Sequence, residues 1–186
     1  MLFDVAIAAV GLFYESIMHI AGLSTAETTD ALYMVPFMYS GITFLSGFVA
    51  DTLGRKKTIA IGSLLCVGGF LMFMLGLNKG FSPTLIGVFI GMYQGGYWIG
   101  RDYMDIMMTE KVPTEIRASV VGAEGLLTSG GMAIGYGLMV VGMIFVEVGT
   151  ICGIIIVPCV AISAIYLMVK VKETKGTVLA DIKQVN

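Results

Sequence analysis

Gly47-Phe48-Val49-Ala50-Asp51-Thr52-Leu53-Gly54-Arg55-Lys56-Lys57 forms a tight, charged turn between two apolar runs, each long enough to cross a bilayer. Two such runs joined by so short a connection read as a transmembrane hairpin, and the rest of the chain repeats that layout. With 57% hydrophobic and only 13% charged residues, the chain lacks the polar surface of a soluble domain. It reads as an integral, all-α membrane protein. Cys66, Cys152 and Cys159 lie inside apolar runs, away from any zinc or redox spacing, and read as small hydrophobic fillers. A net charge of -2 says little here, because the placement of basic residues along the chain carries the information. No cleavable signal peptide is expected, since Asp4 stands where a basic segment belongs.

Working outward from the turn, apolar stretches of about 20 residues predict six spans: 2–22, 31–50, 58–77, 82–108, 118–146 and 150–169, with 170–186 as a tail. Arg55, Lys56 and Lys57 follow span two, Lys111 and Arg117 follow span four, and Lys170, Lys172, Lys175 and Lys183 lie in the tail. The opposite side holds only Lys79, so the positive-inside rule places both termini in the cytoplasm. Spans four and five exceed the length a bilayer needs, which implies tilt or extension beyond it. Span five is rich in glycine, and Gly131-xxx-Gly135 allows close backbone approach to a neighbour.

Charge is expensive at membrane depth, so its distribution sorts the spans. Spans three and six have no charge, spans one and four carry most of it, and spans two and five are otherwise small-residue and aromatic. This three-helix periodicity predicts a three-plus-three repeat with spans one and four lining a path. Asp4, Ala8, Gly11, Glu15 and His19 follow helical spacing along one face of span one, as do Gln94, Trp98, Arg101 and Asp105 on span four. Two polar stripes on apolar helices fit a shared aqueous cavity, and Glu15, His19, Gln94, Trp98, Arg101 and Asp105 are the candidate substrate and proton path. A plainer reading stands beside it: Arg101 with Asp105, and Glu15 with His19, are i, i+4 pairs that neutralise each other. Asp102 points away from the stripe.

The charged turn resembles the inter-helix signature of the major facilitator superfamily, of the form Gly-xxx-Asp-xx-Gly-Arg-Lys, met here by Gly47, Asp51, Gly54, Arg55 and Lys56. A physical account accompanies it: Gly47 lets helices close together, Asp51 faces a helix N-terminus, and Gly54 permits the turn. Glu110-Lys111-Val112-Pro113-Thr114-Glu115-Ile116-Arg117 resembles the family's loop between helices ten and eleven. Lys172-Glu173-Thr174-Lys175-Gly176, with Leu179 and Asp181, resembles the ending after helix twelve of its sugar-porter-like branches. The resemblance implies that the chain corresponds to helices seven to twelve, one half of a major facilitator fold. Lys172 in place of proline, no Gln-Gln pair near Phe13-Tyr14-Glu15-Ser16, and Gly96-Tyr97-Trp98 in place of Gly-Pro-x-x-Trp depart from hexose carriers.

That resemblance implies a secondary transporter moving a small solute by alternating access, coupled to protons, with an organic acid or another metabolite as cargo. Arg101 would receive an anionic group, and Glu15, His19 or Asp4 would carry the proton. Asp51 and Arg55, with Glu110 and Arg117, would form a charge network closing the cytoplasmic gate. Six helices make one wall of a cavity, so the expected partner is an N-terminal six-helix half or a second copy of the chain. The alternative is a non-transporting six-helix remnant or interaction module. No HExxH, no Gly-x-Ser-x-Gly and a single histidine argue against an enzyme. Neither cofactor, metal nor nucleic-acid partner is expected.

Overall fold

Helix boundaries fall where the sequence carries caps and breakers. The computed structural model describes residues 1–11 and 13–173, leaving the Ala9 side chain aside, and all its regular structure is helical: α1 Leu2–Gly11, α2 Tyr14–Ile20, α3 Thr25–Leu53, α4 Arg55–Lys79, α5 Pro83–Lys111, α6 Thr114–Gly142 and α7 Val148–Lys170. A capping box starts α3 early, inside the predicted outer loop: the Glu27 amide donates to Ser24 Oγ, and the Ser24 amide donates to Glu27 Oε2. Gly54 alone joins α3 to α4, at φ +96°, a backbone conformation that favours glycine. Gly80 ends α4 in the left-handed region, and Pro83 opens α5 at its first turn.

Span one differs from expectation. It is two helices rather than one, because after Gly11 the Phe13 amide closes on the Val10 carbonyl three residues back, a 3₁₀-type turn. The stripe from Asp4 to His19 is therefore split between α1 and α2. Of the expected tail, Thr174 to Asn186, including Lys175, Gly176, Leu179, Asp181 and Lys183, lies outside the described residues.

Four helices, α3, α4, α6 and α7, are long and apolar enough to cross a membrane. The fifth long helix, α5, matches α3 in length at 29 residues and is the central one. It packs mainly against α3 and α4, whereas α1 packs mainly against α6 and α7, and α4 against α7 joins the two groups. Glycines set the α5 seams. Gly87, Gly91 and Gly95, one turn apart, face Ala31, Val35 with Met38, and Ile42 of α3, leaving no room for a Cβ. Gly96 meets the backbone of Gly62 and Cys66 on α4, and Gly100 meets the Phe3 ring of α1. On α6 only part of the glycine content is used this way: Gly131 and Gly135 lie against the α1 backbone at Met1 and Val5, while Gly122, Gly125, Gly130 and Gly137 face open space.

The helices α4 and α7, whose apolar spans 58–77 and 150–169 carry no charge, are not the least covered. That place belongs to α3, which presents Tyr33, Phe37, Phe44 and Phe48 outward along one side. Gly47 also meets nothing within reach of a Cβ, so within this chain it does not serve the close helix approach anticipated for it.

Gly87→Val should break the α3–α5 seam, lowering stability by about 1–3 kcal/mol as an overpacked site does, while Gly125→Val should be near neutral. Denaturant unfolding in mixed micelles distinguishes the two; equal losses would contradict this packing.

Candidate functional site

A carboxylate in the first turn of α1 is enclosed by the helices packed around it. Asp4 is 2% exposed, on a helix whose neighbouring Phe3, Val5 and Ala6 are also buried. Burial without partners would cost such a group several kcal/mol, roughly, and here α5 supplies them. The Tyr97 hydroxyl donates to Asp4 Oδ1 at 2.9 Å, and Arg101 Nε lies 3.3 Å from the same oxygen as an ion contact without hydrogen-bond alignment. The Met1 amine is 2.6 Å from Oδ2. One turn earlier on α5, the Tyr93 hydroxyl donates to the Ala6 carbonyl at 2.9 Å, so two tyrosines at i, i+4 fasten α1 to α5.

Arg101 extends the cluster to α6. Its Nη2 donates to Glu124 Oε1 at 3.2 Å and to Thr128 Oγ1 at 3.4 Å, and the Thr128 hydroxyl donates to Glu124 at 2.7 Å. Nη1 is 3.7 Å from Asp105 Oδ2, the longest of its ion contacts. The guanidinium carbon stands 5.7 Å from the Trp98 ring, which Tyr97 meets edge-on and Tyr39 of α3 meets at a tilt. One cation thus faces three carboxylates, from α1, α5 and α6. Direct packing of α5 on α1 and on α6 is slight, so this cluster and the tyrosines supply a polar link between α5 and those helices.

Other expected path residues fall elsewhere. Gln94 is half-buried on the same α5 face, with no hydrogen bond shown for its side chain among the described residues. Glu15 and His19 lie on α2, exposed, with Oε1 and Nε2 3.9 Å apart, and His19 Nδ1 sits 3.1 Å from the Leu23 carbonyl. Neither contacts the Arg101 cluster.

A second group occupies the end of the bundle that carries most lysines. Arg55 Nη2 donates to Glu110 Oε1 at 3.1 Å, joining α4 to the end of α5. Glu173 accepts from the Arg55 and Lys56 amides at 3.1 and 3.0 Å, placing a carboxylate on the N-terminus of α4. Lys56 Nζ reaches the Met168 carbonyl and Lys111 Nζ the Lys172 carbonyl, each at 3.0 Å. Arg117 donates to the Val112 carbonyl at 3.2 Å rather than to an acid. Asp51 is exposed on the last turn of α3 and joins no ion pair among the described residues; the helix N-terminus foreseen for it is taken by Glu173.

Sequence reasoning named Arg101 and Asp105 as site residues and Asp4 as a possible proton carrier, but gave no site role to Tyr97, Glu124, Thr128 or Glu173. The available signals were Glu124-xxx-Thr128 and Tyr93-xxx-Tyr97, each a pair on one helix face. Arg101→Met should cost about 3–5 kcal/mol by leaving Asp4 buried beside no guanidinium, and adding Asp4→Asn should restore part of that. Unfolding of the single and double variants in micelles reads the coupling; additive losses would contradict it.

Comparison with known proteins agrees with this architecture. The family model described as sugar (and other) transporter matches residues 5–185. Monosaccharide-sensing protein 2 of Arabidopsis thaliana is 33% identical over 104 residues, 55% of this chain and 13% of that protein. The cis,cis-muconate transport protein of Acinetobacter baylyi is 32% identical over 127 residues, 60% of this chain and 28% of that protein. The chain thus spans well under half the length of these relatives, and no solved structure matches it. With a match along nearly its whole length, the chain belongs to the sugar (and other) transporter family of the major facilitator superfamily, membrane transporters and not enzymes.

Proposed function

We propose that the chain is one six-helix half of a proton-coupled secondary transporter, carrying a small metabolite across the cell membrane by alternating access with both termini in the cytoplasm. The observation that carries this reading is the cluster of one guanidinium and three carboxylates on otherwise apolar helices. A proton on Glu124 or Asp105 would remove part of the excess negative charge and loosen Arg101 from α6. Arg101 itself is outnumbered by acids, which favours a role in proton coupling over reception of an anionic substrate. Glu15, His19 and Gln94 remain candidates for lining the path at other depths.

The packing supports a three-plus-three repeat. The first helix, α1, leans on α6 and α7, and its counterpart α5 leans on α3 and α4, so each repeat lends its first helix to the other. The outward aromatic side of α3 and the open glycines of α6 are the surfaces on which a second half would close, whether an N-terminal half or another copy. The relatives' names supply two substrate types to try, a monosaccharide and a dicarboxylate. Arg55, Glu110 and Glu173 tie the basic end together, and Gly47, Asp51, Gly54, Lys56 and Arg117 surround them as the candidate gate.

Vesicles from cells producing the chain should take up labelled cis,cis-muconate or glucose when an inward proton gradient is imposed, and a protonophore should abolish the uptake. Glu124→Gln should keep solute exchange but lose the response to the gradient; an unaltered response would refute coupling through this cluster. For the gate, Asp51→Asn and Arg55→Gln should insert normally yet lower uptake by roughly tenfold. Wild-type rates from either variant would remove those residues from the gate.

A further inference from the structure

We infer that the furrow between α4 and α7 holds an acyl chain of an anionic phospholipid, with the headgroup phosphate at Lys56 and Lys57. The furrow is about 580 Å³ and almost wholly apolar. Its floor consists of small or buried side chains, Ala60, Val160 and Ala164 among them, and its walls are the protruding Leu64 and Ile165, 75% and 63% exposed. Along α4 the lining runs from Ala60 to Val67, about 10 Å, and along α7 from Val157 to Val169, about 18 Å, at the helical rise per residue. Half of a hydrocarbon core is about 15 Å, so the furrow matches one leaflet in depth.

Charge decides which lipid. Lys57, Ala60, Leu64 and Val67 follow the 3, 4, 3 spacing of a single α4 stripe, so Lys57 is the next step of the furrow's own wall at its basic end. Lys57 is exposed and joins no ion pair among the described residues. Lys56 Nζ already sits at the mouth, 3.0 Å from the carbonyl of Met168, a lining residue. Lys170 ends α7 at the same level. The acid closest in sequence to that helix end, Glu173, is turned onto the Arg55 and Lys56 amides. Ammonium groups at the mouth of a leaflet-deep apolar furrow complement a phosphate with no compensating cation, as in phosphatidylglycerol, better than a zwitterionic headgroup. This inference rests on the chain's membrane location and needs no transport activity.

Native mass spectrometry of the full chain from micelles with equal amounts of phosphatidylglycerol and phosphatidylcholine tests it. Wild-type protein should retain phosphatidylglycerol preferentially. Lys57→Gln should reduce that preference by about fivefold, and Lys56→Gln with Lys57→Gln should reduce it further. Ala164→Phe, which fills the floor, should lower retention of both lipids. Because Lys57→Gln changes only an exposed side chain, that variant folds whatever the fate of Ala164→Phe. Equal retention of the two lipids by wild type, or an unchanged preference in the double lysine variant, would overturn the assignment.

Discussion

A carboxylate kept from water on an apolar helix must be met by donors, and the demand of Asp4 organises the middle of this protein. Its partners Tyr97 and Arg101 come from α5, which is remote in sequence and belongs to the other helix group. Because the guanidinium that serves Asp4 also serves Glu124 and Asp105, α1, α5 and α6 share one polar centre. Removing Arg101 would leave all three carboxylates without it, which is why such a network specifies an arrangement more sharply than its net energy implies.

The glycine seams make that centre reachable. A side chain at Gly96 or Gly100 would push α5 away from α4 or from Phe3, and α5 could then no longer bring the Tyr97 hydroxyl to within 2.9 Å of Asp4. Membrane helices gain little from hiding apolar surface from one another, so close backbone approach and a few polar contacts carry their association. Here the two operate together: small residues set the distance and the cluster sets the register.

Much of this was legible from the residues. The run of helices, the turn at Gly54 and the contact of Gly131 and Gly135 with a neighbour all follow from local rules of caps, breakers and small-residue spacing. The family followed from the charged turn and two later loops. What remained hidden is pairing between distant helices, because an i, i+4 stripe says which residues share a face but not which face it meets. Asp105 is the obvious partner of Arg101 by spacing, yet Glu124 lies nearer to the guanidinium. The pattern Gly87-xxx-Gly91-xxx-Gly95 marks the α3–α5 seam, whereas span five holds more glycines and most of them face open space, so glycine content alone does not reveal where helices close together. The break after Gly11 was equally hidden, since hydropathy runs on unbroken through it.

The joint at Gly54 has a mechanical corollary. A connection of one residue offers no slack, so α3 and α4 meet as two rods at a stiff elbow, with the Glu173 carboxylate seated in the bend where a Cβ on Gly54 would stand 2.7 Å from it. Leverage applied to the exposed side of α3 therefore passes through the elbow to α4 and, by way of Glu173, to the end of α7. The outer surface of one helix thus has a short route, through one residue of chain and one seated carboxylate, to the end of α7, with almost no play.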